Sequence, residues 1–183
     1  EPLHSSTRLL GLHFDSLEPE VRELGSRREL LLDRFLIDRM EGCALHLHTP
    51  QPRETVLRFD RPWEGAFSGY LTVLHDPEDA RRPFRMYYRG LPLAGKDGST
   101  NEVTCYAESR DGIAWTKPNL GLFKVAGTRR NNVVLAGQAP FSHNFSPFLD
   151  SRPGVPHGER FKAVAGTTES GLHAFASADG IRW

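Results

Sequence analysis

The stretch Ser109-Arg110-Asp111-Gly112-Ile113-Ala114-Trp115 returns at the end of the chain as Ser177-Ala178-Asp179-Gly180-Ile181-Arg182-Trp183. Ser, Asp, Gly, Ile and Trp fall in the same places both times, so one supersecondary unit is built twice. The spacing has a mechanical reading. Gly supplies the positive φ of a tight turn, while the Ser and Asp side chains hydrogen-bond the turn's own amides. Asp111 and Asp179 are therefore read as braces of the backbone and not as reactive carboxylates. The tryptophan that follows covers an apolar face. Trp115 is expected to be largely buried and Trp183 more exposed.

The surroundings extend the repeat. Phe84-Arg85-Met86-Tyr87-Tyr88 precedes the first copy and Phe161-Lys162-Ala163-Val164-Ala165 the second, and both read as strands. Asp111 and Asp179 are 68 residues apart but Phe84 and Phe161 are 77 apart, so the first unit carries an insertion within Leu91 to Asn101. Strands are expected at 70–75, 84–89 and 103–108, with an outer segment around 122–125. In the second unit they are expected at 145–149, 160–165 and 172–177. Asp76-Pro77, Gly95 to Gly98 and Pro118-Asn119 supply the turns between them. Val133 to Ala136 either closes the first unit or bridges to the second.

Upstream the pattern is weaker. Residues 1–29 read as an N-terminal arm with a short helix capped by Ser16. Leu30 to Asp38 reads as a buried strand bracketed by Asp33 and Asp38, and Cys43 to Thr49 as a half-buried strand ending at Pro50. A short strand is expected at Val56 to Phe59. His46 and His48 share a face but lack a third ligand nearby, so no metal site and no cofactor are read from the sequence. Cys43 and Cys105 are read as small buried thiols and not as a disulfide.

The chain has 23 basic and 23 acidic residues, with no basic run beyond paired arginines. This leaves no electrostatic footprint for nucleic acid. No apolar run approaches the roughly 18 residues of a membrane span. The chain begins at Glu1, and the compartment stays open, a secreted or periplasmic one being compatible with a processed chain. Oligomeric state is not read.

Four-stranded antiparallel units of this size cannot bury their own faces. The expected fold is all-β: a partial five-bladed β-propeller of about two to two and a half blades over 30–183, with a sandwich as the alternative. Ala107 to Gly121, together with Pro62-Trp63-Glu64 and His143 to Asp150, resembles the N-terminal part of the five-bladed propeller glycoside hydrolases of families 32 and 43 and their bacterial relatives. The Asn-Asp-Pro, Arg-Asp-Pro and Glu-Cys-Pro segments that carry family 32 chemistry do not occur here, so no catalytic residue is carried over from the resemblance.

The resemblance implies a carbohydrate partner, met on the face where blade entries converge. There Trp63 is a candidate for stacking on a sugar ring, and Arg89, His143 and Asn144 for binding its hydroxyls. Glu64 and Asp38 are the catalytic candidates, with Asp33, Glu102 and Glu169 behind them, because glycoside hydrolysis takes two carboxyl groups flanking the bond. Two functions stay open: a glycosidase-like fragment acting on or binding a polysaccharide or oligosaccharide, and a non-catalytic carbohydrate-binding or scaffold propeller. A phosphorylase-like relative would need a basic cluster that Arg89 alone does not make.

Overall fold

A computed structural model describes residues 22–95 and 97–183. The short helix expected around Ser16 to Leu24 lies almost wholly outside these residues. The chain divides into two compact units, Glu1–Pro52 and Arg53–Trp183. No helix among the described residues is long and apolar enough to cross a membrane.

The first unit contains no strand among its described residues. The strands expected at 30–38 and 43–49 do not form. Leu30, Leu32 and Phe35 stand open to solvent, and Cys43 is an exposed free thiol. Apolar density and alternation make a strand only where another strand offers its free amides and carbonyls, and no other strand lies among the described residues of this unit. The consequence for Asp33 and Asp38 is direct, since both are exposed and neither lies on an inner strand. Asp33 accepts a hydrogen bond from the Phe35 amide in a local turn.

The second unit is all-β and antiparallel. Its first sheet runs β1 (Gly69–His75), β2 (Phe84–Gly90), β3 (Val103–Ser109) and β4 (Trp115–Thr116), and β5 (Val133–Leu135) pairs with the start of β3. Its second sheet is β6 (Ser146–Leu149), β7 (Phe161–Thr167) and β8 (Gly171–Ser177). Strand positions thus follow the repeat, and β5 closes the first sheet. The outer segment expected near 122–125 is replaced by two-residue β4, because Pro118 ends the pairing. Val56 to Phe59 forms no strand, but Leu57 and Phe59 still pack on the first sheet.

Alternation along β2 sets the layering. Met86 and Tyr88 join Trp63, Val103, Cys105, Ala107 and Val133 in one core on one face. Arg85, Tyr87 and Arg89 point the other way, where the second sheet stacks. Tyr87 donates to Gly180 O at 2.8 Å, and Arg85 donates to Asp179 O, so the second Asp-Gly turn is docked on the first sheet. Strand β1 lies against β6.

The two turns are closed by the same bonds. Ser109 Oγ accepts from the amides of Asp111 and Gly112, and Asp111 Oδ1 accepts from those of Ile113 and Ala114 at 2.8 Å each. Ser177 and Asp179 repeat this on Asp179, Gly180, Ile181 and Arg182. These amides hold both carboxyls below the ordinary aspartate range. For Asp111 the bonds are the leading influence; for Asp179 burial opposes and the bonds prevail.

The expected contrast between the tryptophans is absent, as both are half-buried. Trp183 turns back between the sheets, with ring centroids 4.9 Å from Phe145 and 6.0 Å from Tyr87. Trp115 likewise turns back onto the core around Trp63, its Nε1 donating to Gly112 O. Each indole is covered from behind, so neither depends on a strand that follows it.

Beyond β7 the second sheet is open. Phe148, Val164 and Leu172 are exposed on it, and no strand among the described residues pairs with the outer edge of β8.

Candidate functional site

At the end of the sheets away from the Asp-Gly turns, β2 delivers Arg89, the loop before β3 delivers Asp97 and Glu102, and the segment before β6 delivers His143. Arg89 Nη1 donates to His143 Nδ1 at 3.0 Å, and Nη2 donates to Phe67 O at 2.9 Å. The guanidinium lies over the Tyr70 ring, 4.6 Å from its centroid, a cation–π contact that fixes its plane. Glu102 is fully enclosed. Its Oε1 accepts from the Gly98 amide at 3.0 Å and stands 3.9 Å from Arg89 Nη1, and its Oε2 stands 3.3 Å from His143 Nδ1. Asp97 closes the group from the solvent side, with Oδ1 3.7 Å from Arg89 Nη1 and 3.8 Å from His143 Nδ1.

His143 Nδ1 faces both Arg89 Nη1, at 3.0 Å, and Glu102 Oε1, at 3.4 Å; a guanidinium only donates, so the shorter contact is made with Nδ1 as the acceptor, in the tautomer that carries its proton on Nε2. Buried polar atoms without partners gather in this region: Arg89 Nε and Glu102 Oε2 in the cluster, Ser142 Oγ beside His143, Ser99 Oγ in the Glu102 loop and Ser68 Oγ beside Phe67. Buried polar groups are normally satisfied, so each of these atoms, like Arg85 Nε, Thr104 Oγ1 and Trp183 Nε1, calls for a water, ion or ligand as its partner.

The other candidates fall elsewhere. Glu64 is buried in a separate network. Tyr88 donates to its Oε1 at 2.6 Å, and Lys117 Nζ at 2.6 Å and the Arg61 amide at 3.0 Å donate to its Oε2. Asn132 donates to Tyr88 Oη at 2.8 Å and to Tyr106 O at 2.7 Å, while accepting from Trp63 Nε1 at 2.8 Å. Both Glu64 oxygens are thus committed within the protein. Trp63 is buried with its polar atom committed too, although it borders a cavity of about 520 Å³ that Leu91, Asn101, Val103 and Lys124 also line. Burial pushes the phenols of Tyr87, Tyr88 and Tyr106 and the Cys105 thiol far up, so all stay protonated.

Asn144 lies next to His143 in the chain, but its amide is used on the backbone. It donates to Gly166 O at 2.6 Å and accepts from Gly166 N at 3.0 Å. Gly166 has φ 144°, and a Cβ there would stand 1.9 Å from Gly171 O, so only glycine fits. Glu169 is exposed in the β7–β8 turn. Of the expected site residues, the structure brings Arg89 and His143 together. It joins to them Glu102, one of the lesser carboxylate candidates, and Asp97, which carried no expectation.

At the opposite end, Asp76 is enclosed and links the two sheets. Arg160 grips it through both nitrogens, at 3.0 and 2.7 Å, and Arg85 stands 3.7 Å away. Burial works to raise its pKa, but the Arg160 pair and the Glu78 amide prevail and hold it below the ordinary 3.8.

The fold and this geometry define an all-β protein with a part-buried, mixed-charge cluster at one end of two stacked antiparallel sheets. Comparison with protein-family models, with curated proteins and with solved structures yields no match.

Proposed function

We propose that this chain is part of a glycosidase-like β-propeller and that the end around Arg89, Glu102 and His143 binds an oligosaccharide or polysaccharide. Two sheets with the same strand order, carrying the same turn and stacked face to face, support the propeller. The observation that carries the binding reading is the group of unpartnered buried atoms, which mixes donors and acceptors. A sugar ring, whose hydroxyls both give and accept hydrogen bonds, suits such a mixture better than a simple anion or cation of the same size. Tyr70 at the rim carries Arg89 and His143 against its ring and presents its remaining exposed surface to the apolar face of a sugar. Hydrolysis at this end would draw on Asp97 and Glu102, the two carboxylates present there.

The test is titration of the chain with a panel of plant, algal and microbial oligosaccharides, followed by calorimetry. Arg89→Met is expected to weaken binding by roughly tenfold or more, as loss of a charged hydrogen bond of about 1.5–3 kcal/mol does. Asp111→Asn is expected to lower the melting temperature and leave the affinity of the folded fraction unchanged. The reading fails if no member of the panel binds, or if Asp111→Asn abolishes affinity while Arg89→Met retains it.

A further inference from the structure

We propose that Asp97, Glu102 and His143 form a binding site for a divalent first-row transition-metal ion of the Zn²⁺ class. One ligand atom from each lies within 4.8 Å of the others. A tetrahedral ion with bonds of about 2.1 Å holds its ligand atoms about 3.4 Å apart. His143 Nδ1 stands 3.3 Å from Glu102 Oε2 and 3.8 Å from Asp97 Oδ1, so small side-chain movements complete the geometry.

The electronic argument agrees with the spacing. His143 Nδ1 presents a lone pair and the two carboxylates present only lone pairs, so three acceptors converge on one point served by a single donor, Arg89 Nη1. Glu102 Oε2 is buried and has no hydrogen-bond partner, while Oε1 is fixed by the Gly98 amide, as the outer bonds of a ligating carboxylate usually are. The imidazole nitrogen favours a transition metal over Ca²⁺ or Mg²⁺, which take oxygen ligands. Asp97 is exposed, giving the ion a path in and leaving a position on that side for an exchangeable ligand.

Arg89 is the competitor. Its Nη1 occupies the space the ion would take, while Nη2 on Phe67 O and the Tyr70 ring give the guanidinium a place to stay when Nη1 is displaced. Affinity is therefore set by exchange of one cation for another. The inference stands on the protein alone and does not require the carbohydrate reading.

The experiment is titration of the metal-stripped chain with Zn²⁺, without sugar, with Co²⁺ as a spectroscopic probe of four-coordinate geometry. One-to-one binding is expected, weakened by at least about tenfold in His143→Ala and Glu102→Gln and strengthened in Arg89→Met. Asp97 is exposed, so Asp97→Asn gives the same reading should the buried variants fail to fold. His46→Ala/His48→Ala removes the exposed histidine pair and should leave affinity unchanged. The proposal is overturned if no saturable binding occurs, if Asp97→Asn and His143→Ala bind as the parent does, or if binding is lost with His46 and His48.

Discussion

Glu64→Gln is expected to destabilise the protein by about 3 kcal/mol, measured by urea denaturation, with little change in any ligand affinity of the folded fraction. Lys117 Nζ lies 2.6 Å from Glu64 Oε2, and its side chain is almost as enclosed as the carboxylate. Removing one charge of a buried pair strands the other, and such losses run to about 3–5 kcal/mol. The lower end applies because Lys117 keeps Asp60 at 3.1 Å and the Arg58 carbonyl. The double variant Glu64→Gln/Lys117→Met should recover much of the loss, since it removes the stranded charge as well. A Glu64→Gln protein of full stability that no longer binds sugar would return Glu64 to the ligand site.

The second large effect is expected at Asp76. Asp76→Ala should cost about 3 kcal/mol, because it removes the enclosed carboxylate that Arg160 and Arg85 share; the lower end of the range for a broken buried pair applies because Arg160 keeps Glu78 at 2.8 Å and Arg85 keeps Asp79 at 3.0 Å. Both guanidiniums also lie over the Phe161 ring, so the loss would act on the packing where the sheets join. The same group predicts an acid limb. With a folded-state pKa held below 3.8, the carboxylate stabilises the fold above that value, and this contribution is lost as pH falls through the folded pKa, where the unfolded chain binds the proton more readily. Stability measured from pH 6 to pH 2 should fall less steeply in Asp76→Asn than in the parent chain. An unchanged slope would show that Asp76 does not govern the limb.

The Asp111 and Asp179 turns were legible in the sequence because every bond that closes them spans three residues or fewer. The strands around them were legible for a related reason, since alternation and turn residues are local signals. Leu30 to Asp38 misled because its apolar density says nothing about whether a partner edge exists. The sequence placed Arg89, Glu102 and His143 on one face, but their contact lay out of reach for a similar reason. Arg89, Glu102 and His143 come from three segments whose convergence depends on how the second sheet stacks on the first. Glu102 follows a Gly- and Ser-containing loop that reads as solvated, and nothing local shows that the loop folds back on it. Lys117 hid in the same way, for its partner Glu64 is 53 residues away.

The open side of β8 carries a practical consequence for this chain when it is handled alone. Gly171-Leu172-His173-Ala174-Phe175-Ala176-Ser177 has no acidic, Lys, Arg or Pro residue, the devices that usually keep an edge from recruiting another strand. Its unpaired amides and carbonyls, beside exposed Leu172, form a template for a like strand from another molecule. Light scattering should therefore rise with concentration, and Ala174→Lys should suppress the rise without loss of folded structure, because that position faces solvent. Whatever covers this edge in a larger assembly would then serve as a guard against aggregation as well as a neighbour in the fold.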